Sequence, residues 1–476
     1  MRAHEAGALH ADGYGRPSWL AVPHDVNTLV PSLWSDSVAR GADGALTVGG
    51  MSVLELAAQF GTAAYVLDEQ DFRRRAGEFR DTWSEVFGDL CGGADVYYAG
   101  KAFLCTEVAR WIRDDGLHLD VCSGGELEVA RRAGMPGERI GLHGNNKSVA
   151  ELEAAVGYGE QGVGRVVVDS FDEIERLAEV AQRLRRVARV MVRVTVGVEA
   201  HTHEFIATAH EDQKFGFSLS GGAAAEAARR ILAHAPYLQL IGLHSHIGSQ
   251  IFDTAGFEVS ARRILALHAD IAQEHGVELP ELDLGGGFGI AYTTEHDPLP
   301  PRSLAASLAD IVERECRTRS VRVPRVSIEP GRAIAGPSTL TLYEVGTVKQ
   351  VSLDAGATRA YVSVDGGMSD NIRTALYDAN YSCTLASRRS EAPGMLSRVV
   401  GKHCESGDIV VMDEYLPADV RAGDLLAVPG TGAYCRALSS QYNHTPRPPV
   451  VAVRDGAARV IVRRESIDDL LALDVS

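Results

Sequence analysis

Between Asp95 and Glu329 the chain repeats one pattern eight times: a short apolar, often β-branched run followed in most cases by a helix-length segment. The runs span 95–99, 117–122, 139–143, 165–169, 189–196, 240–246, 281–284 and 325–329. Parallel strands need long crossovers, usually helical, so this alternation points to an α/β architecture. Eight βα steps in about 265 residues is the arithmetic of a (β/α)8 barrel, with a doubly wound sheet as the alternative. The carboxyl ends of the runs carry the unusual residues: Lys101, Ser123, His143, His246, Gly285 to Gly287, and Glu329 with Arg332. In a barrel those ends share one face, and the active site lies there.

The texture changes on either side. Residues 1–45 are polar and rich in Gly, Ala and His, without clear periodicity, and are expected as a loosely ordered N-terminal extension. Phe72, Ala76, Phe79, Trp83 and Val86 then recur at helical spacing. After Gly336 the runs 340–351, 359–364, 408–412, 425–428 and 450–463 read as strands joined by turns, with Asp455-Gly456 as a type I′ hairpin signal. The expected plan is a barrel over 70–337 and a mostly-β domain over 338–476. That second domain, Greek-key-like, also takes in 46–69 with its strand-like 63–67.

Composition excludes several classes. With 47 basic and 64 acidic residues the net charge is −17, which disfavours a nucleic-acid or anionic-lipid partner, so any anion site must be local. Seven cysteines, odd in number and without a C-x-x-C pair, fit neither a disulfide framework nor a zinc knuckle. No run approaches a membrane span and no leader pattern is present, so a cytoplasmic protein is expected.

Several motifs fall on the proposed active face. Lys101 follows an apolar strand in Tyr97-Tyr98-Ala99-Gly100-Lys101-Ala102, a place often held by a solvated end residue. Gly285, Gly286 and Gly287 after the seventh run let backbone amides approach a phosphate closely. Ile290 stands where a dinucleotide fingerprint needs its third glycine. The eighth run ends in Glu329-Pro330-Gly331-Arg332, which brings a guanidinium to the same phosphate. A phosphate site with a strand-end lysine suggests pyridoxal phosphate, whose aldehyde condenses with an amine and whose ring nitrogen needs an acid such as Glu329.

Alternation sends His244 and His246 to one side, so one of them could lie against that ring. Ser249 could add a phosphate contact. The pairs His201/His203 and His244/His246 also invite a metal-dependent barrel hydrolase, although the first strand carries lysine where such an enzyme wants ligands. Arg373 and Tyr377, four apart, would share a helical face. Cys404 precedes a strand, and a lone cysteine is more often a small buried hydrophobe than a reagent.

Together these blocks resemble the diaminopimelate decarboxylases, of the alanine-racemase-like group of pyridoxal phosphate enzymes. The resemblance runs from about Leu46 to the C-terminus. It rests on YYAGKA (97–102), DVCSGGE (120–126), EAHTHEFIATAHEDQKFG (199–216), HSHIGSQ (244–250), DLGGGFG (283–289), EPGR (329–332), GGMSDNIRTALYDA (366–379), CESGD (404–408) and GTGAY (430–434). One departure is Arg193-Val194-Thr195-Val196-Gly197, where the family would carry Asn-Pro before the glycine.

The resemblance implies pyridoxal 5′-phosphate as cofactor and no metal. Lys101 would hold the cofactor covalently, His246 would stack on its ring and Glu329 would pair with its ring nitrogen. Gly248, Ser249, Gly285, Gly286, Gly287, Pro330, Gly331, Arg332 and Tyr434 would line the rest of the cofactor. Arg332, Arg373, Tyr377 and Tyr434 would meet the substrate, Glu405 would read its distal ammonium and Cys404 would protonate Cα. In that family the Cys404–Glu405 pair serves the partner subunit, which implies a homodimer with shared sites. The implied reaction converts meso-2,6-diaminopimelate to L-lysine and CO2, the last step of lysine biosynthesis. Ornithine or arginine decarboxylation is the nearest competitor within the fold, and a catalytically dead regulatory homologue the competitor outside it.

Overall fold

Eight of the apolar runs pair in parallel, each with the next, and the last returns to the first. The structure is a computed structural model and describes residues 16–197, 214–352 and 358–475. The barrel strands are β1 (Ala94–Ala99), β2 (His118–Val121), β3 (Ile140–Leu142), β4 (Arg165–Val168), β5 (Ala188–Thr195), β6 (Leu238–His244), β7 (Glu281–Asp283) and β8 (Arg325–Ile328). Every neighbour pair from β1–β2 to β7–β8 is parallel, and β8 closes on β1 through Ser327 opposite Asp95. The expected (β/α)8 barrel is therefore present. Strands covered on both faces need not alternate, and Arg165-Val166-Val167-Val168 is buried throughout.

Serines end the βα loops and start the helices. Ser123, Ser148 and Ser170 each accept the backbone N–H three residues on, from Glu126, Glu151 and Glu173, so each helix begins immediately beyond its strand-end loop. Loops this short keep the carboxyl ends of the strands close to the helix starts. The amphipathic helix expected from the Phe72 to Val86 spacing spans Glu69–Val86 and buries Phe72, Ala76, Phe79 and Trp83. Trp83 stacks on Phe87 at 5.4 Å between ring centroids and meets Phe288 at 6.2 Å, while Phe288 also stacks on Phe257 at 5.6 Å.

The chain divides into two units: Arg73–Gly289 with Pro298–Ala333, which holds the barrel, and Met1–Phe72, Ile290–Asp297 and Ile334–Ser476, which holds the β domain. In the β unit the strand Ala64–Asp68 runs antiparallel to Thr339–Ser352 and parallel to Val450–Arg454, so an N-terminal strand lies in the middle of a C-terminal sheet. Asp455 and Gly456 both adopt positive φ, 52° and 73°, as a type I′ turn requires.

Three features differ from the sequence-based expectation. Gly394–Val400 is a strand, parallel to Thr358–Val364 and antiparallel to Ile409–Pro417. The segment Ile290–Asp297 belongs with the β unit, where Ala291 joins Leu340, Val451 and Val66 in the core. The described part of the N-terminal extension is folded: Leu33 and Trp34 enter that same core, and Ala39–Arg40, Leu46–Val48 and Met51–Ser52 form a small sheet. Burying those apolar side chains is what orders a segment whose composition reads as loose.

Trp83 is fully buried, stacked on Phe87 and tilted against Phe288, so truncation leaves a cavity among these rings. Trp83→Ala should destabilise the protein by about 3–5 kcal/mol, read as a lowered urea midpoint; a midpoint at the wild-type value would contradict this packing role.

Candidate active site

The barrel strands deliver a ring of polar groups to one mouth. Lys101 is exposed just past β1, held there because Gly100 N–H donates to the Asp120 carbonyl at 2.9 Å. A Cβ on Gly331 would lie 2.9 Å from both the carbonyl oxygen and the Cβ of Ala99, so only glycine lets the loop after β8 close on the lysine turn. His246, beyond β6, accepts the Gly286 N–H on Nδ1 at 3.3 Å, which leaves the neutral ring with its proton on Nε2. Burial, reinforced by the charge of Lys101, holds its pKa well below the ordinary histidine range.

The glycine run beyond β7 is wedged between neighbouring strand ends. A Cβ on Gly286 would sit 2.2 Å from the Glu329 carbonyl oxygen, and one on Gly287, at φ +103°, would sit 2.4 Å from that of Gly248. Gly285 N–H donates to Asp283 at 2.6 Å and Gly286 N–H to His246, so two of the three amides are engaged inside the protein. Arg332 donates to Ser249 Oγ at 2.7 Å, which places a guanidinium and a hydroxyl together beside this run.

Beneath the mouth lies a buried charge cluster centred on Glu329. Its Oε1 is 3.2 Å from His143 Nε2 and 3.1 Å from His244 Nε2, and His143 Nε2 is also 3.2 Å from Asp120 Oδ1. Burial opposes ionisation of Glu329, yet the two imidazoles hold its carboxyl well below the usual range. Burial also disfavours charge on His143, but Glu329 and Asp120 outweigh it and push its pKa up to about 9. Burial and the nearby Glu329 push Asp120 up to about 6, so of the two carboxyls Glu329 keeps its charge more firmly.

Deeper in the barrel Arg165 pairs with Asp283, donates to Ser327 Oγ at 2.8 Å and lies 3.5 Å over the Tyr97 ring, with Asp120 at 3.8 Å. Sequence reasoning placed His143 on the active face without giving it a role, and did not single out Asp120, Arg165 or Asp283. The available signal was a charged or imidazole residue within, or just past, a run otherwise made of apolar side chains.

The remaining expected site residues lie in the β unit. Arg373 is buried, donates to Tyr381 Oη and lies 4.6 Å over the Tyr292 ring, whereas Tyr377 is 60% exposed. The helix Arg373–Tyr377 is a single turn, so the two do not share an environment despite their spacing. Tyr434 adopts φ +65° between buried Ala433 and Cys435. Cys404 and Glu405 are exposed on the loop before Ile409–Pro417, and Gly407 N–H donates to Glu405 Oε1 at 3.3 Å. The thiol is thus not the buried hydrophobe a lone cysteine usually is. His201 and His203, with most of the 199–216 block, lie outside the described residues.

These groups fit pyridoxal phosphate. Glu329 Oε1 is buried without a well-formed hydrogen bond, as are both nitrogens of His244 and His143 Nε2, so a ring N–H offered to this carboxylate would meet an unsatisfied acceptor. Lys101 offers an amine on the same face, and Arg332 with Ser249 offers donors to a phosphate. His143, His244 and Glu329 also offer atoms within 4.8 Å of one another, a donor set that a cation could use.

Comparison with known proteins decides between these. The family model described as pyridoxal-dependent decarboxylase, pyridoxal binding domain, matches residues 76–336. A diaminopimelate decarboxylase of Mycobacterium leprae (strain TN) is 54% identical over 482 residues, covering 100% of both chains. One from Mycobacterium tuberculosis (strain ATCC 25618 / H37Rv) is 56% identical over 451 residues, 94% of this chain and 98% of that one. The solved diaminopimelate decarboxylase from M. jannaschii in co-complex with L-lysine superimposes with a TM-score of 0.86 at 28% identity, covering 93% of this chain and 99% of that one. A lysine/ornithine decarboxylase from Vibrio vulnificus, 21% identical with a TM-score of 0.68 over 85% of this chain and 97% of that one, shares the fold. With its barrel, its β domain and full-length identity above half, the chain belongs to the diaminopimelate decarboxylases, within the pyridoxal-dependent decarboxylase family.

Proposed function

We propose that this protein decarboxylates meso-2,6-diaminopimelate to L-lysine and CO2 with pyridoxal 5′-phosphate. The observation that carries the substrate is the 54% identity with a diaminopimelate decarboxylase across the whole of both chains. Family membership leaves the metal-dependent hydrolase without support, and it favours the chemistry that the Glu329 cluster is built to serve. Pyridoxal phosphate, when bound, supplies an electron sink for the pair left at Cα as CO2 departs.

The chain's own groups divide the remaining work. Lys101 Nζ anchors the cofactor, Arg332 and Ser249 with the backbone near Gly248 and Gly287 hold its phosphate, and the neutral His246 ring covers its face. Glu329, kept ionised by its two histidines, holds a proton on the ring nitrogen, which keeps the sink effective. Arg373 and Tyr434 serve the substrate, Arg373 through a guanidinium fixed by Tyr381 and Tyr292 and suited to a carboxylate. Cys404 Sγ–H gives its proton to Cα, where it replaces the departing carboxylate, and Glu405 reads the distal ammonium.

Exposure of Cys404 and Glu405 supports a homodimer in which this pair completes the partner's site, as does the need to shield Cα from water. A cytoplasmic, reducing setting suits a working free thiol. Among the described residues no helix is long and apolar enough to cross a membrane.

The wild type and two variants, each purified with added cofactor, test the assignment by CO2 release from meso-diaminopimelate, with ornithine and arginine as controls. Lys101→Ala should lose both turnover and the yellow absorbance of the bound cofactor. Cys404→Ala should keep the colour and lose roughly 10²–10⁴-fold in kcat. A Cys404→Ala enzyme at the wild-type rate, or a wild type that prefers ornithine, would refute the site or the substrate.

The Glu329 cluster also predicts a pH signature. A histidine raised from 6.5 to about 9 contributes stability that is fully present below 6.5 and disappears as pH rises through about 9. In cofactor-free protein, NMR should show His143 titrating well above an ordinary histidine. Glu329→Gln should bring that titration down and flatten the loss of stability over the same interval; an unchanged titration would mean that Glu329 does not hold the proton on His143.

A further inference from the structure

The exposed Cys404 is flanked by residues that are anything but loose. The Asp408 carboxylate is buried and accepts two backbone N–H groups, Met368 on Oδ1 at 2.6 Å and His403 on Oδ2 at 2.7 Å. Two glycines close on it: a Cβ on Gly367 would lie 2.5 Å from Oδ1 and one on Gly401 would lie 2.3 Å from Oδ2. The loop is tied again where Lys402 N–H meets the Gly366 carbonyl at 3.0 Å and Asp408 N–H meets that of Glu405 at 3.1 Å. His403, next to the thiol, is held on both ring nitrogens, by Ser369 Oγ at 2.8 Å and Asn443 Oδ1 at 3.1 Å.

We infer that Asp408 is a positioning residue for the reaction, whose buried carboxylate pins the 401–408 loop and so fixes where the Cys404 thiol leaves the β unit. The inference rests on the reading of Cys404 as the proton donor to Cα. A loop needed only to cover a surface could satisfy its amides with water. A buried carboxylate is a costly way to satisfy two amides, and its gain is definition: it ties the His403 amide, just before the exposed Cys404–Ser406 tip, and the Met368 amide of the neighbouring 366–371 segment to one acceptor. Proton transfer rewards such definition, because a misplacement of about 1 Å can cost roughly 10²-fold in rate. Asparagine at this position keeps the shape but turns an NH2 toward one of the two N–H donors, so one tie is lost.

The test is a double-mutant cycle on the holoenzyme, with CO2 release from meso-diaminopimelate as readout. Asp408→Asn should lower kcat roughly 10- to 100-fold, with the cofactor absorbance at its wild-type value. In the Cys404→Ala background the same substitution should add no further loss, because the group that it positions is gone. A wild-type kcat in Asp408→Asn overturns the inference. So does an equal loss in both backgrounds, a lost cofactor band, or a loss that tracks dissociation into protomers in sedimentation. A Cys404→Ala enzyme that turns over normally refutes the underlying reading instead. If Asp408→Asn fails to fold, Ser369→Ala, which removes one tie on His403, must show the same non-additivity with Cys404→Ala, and plain additivity there overturns the inference.

Discussion

A carboxylate buried under the mouth of a barrel is unstable unless opposite charge is built around it, and much of the barrel's interior is arranged to meet that condition for Glu329. Two imidazoles approach the same oxygen, one of them shared with Asp120. Arg165 in turn balances Asp120 and Asp283 from the layer below, with Ser327 and the Tyr97 ring completing its surroundings. These groups stand on, or just past, every barrel strand except β5. A closed ring of strands supplies what an open sheet would have to find in its helices: side chains from many strands converging on one axis. Removing one member would leave its neighbours buried without a counter-charge, which is worse than replacing the whole set by apolar residues.

The charge cluster and the glycine run constrain each other. Gly286 lies so close to the Glu329 carbonyl that no side chain fits, and its N–H is turned to His246. The end of β8 and the glycine run beyond β7 are therefore packed directly against each other, with no room for a side chain between them. His246 is kept neutral by the same surroundings that keep Glu329 charged, because burial disfavours the cation and Lys101 adds to it, whereas Glu329 has two imidazoles in contact.

The barrel was legible because its signal is local. A parallel strand covered on both faces is a short apolar run wherever it falls, and all eight were placed within about two residues, the usual uncertainty of an element's end. The Asp455-Gly456 turn was legible for a similar reason, since few residues adopt positive φ twice in succession. Gly394–Val400 was not, because it buries Ser397 and Arg398 beside Val399, not an apolar run, and its pairing, parallel on one edge and antiparallel on the other, depends on distant strands. Leu33, Trp34 and Ala291 reach a core assembled from the far end of the chain, and nothing adjacent to them announces it. Arg373 and Tyr377 show how spacing misleads in a helix of one turn: the arginine is drawn inward by two aromatic rings while the tyrosine remains outside.

The contrast between the two acids in the proposed reaction follows from what each must do. In that reaction Glu329 would hold a charge in place, and it is buried with two imidazoles beside it and one oxygen left to accept. In the proposed reaction the Cys404 thiol must reach a site outside its own domain's core, so it is expected to be exposed there. Exposure alone would leave its position undefined. The structure resolves that conflict by exposing the thiol and burying its flanks: His403 and Asp408 are 8% and 3% accessible on either side of an exposed tip. The Asp408 carboxylate, accepting two backbone amides, is the inferred means by which the exposed loop is held to a defined position.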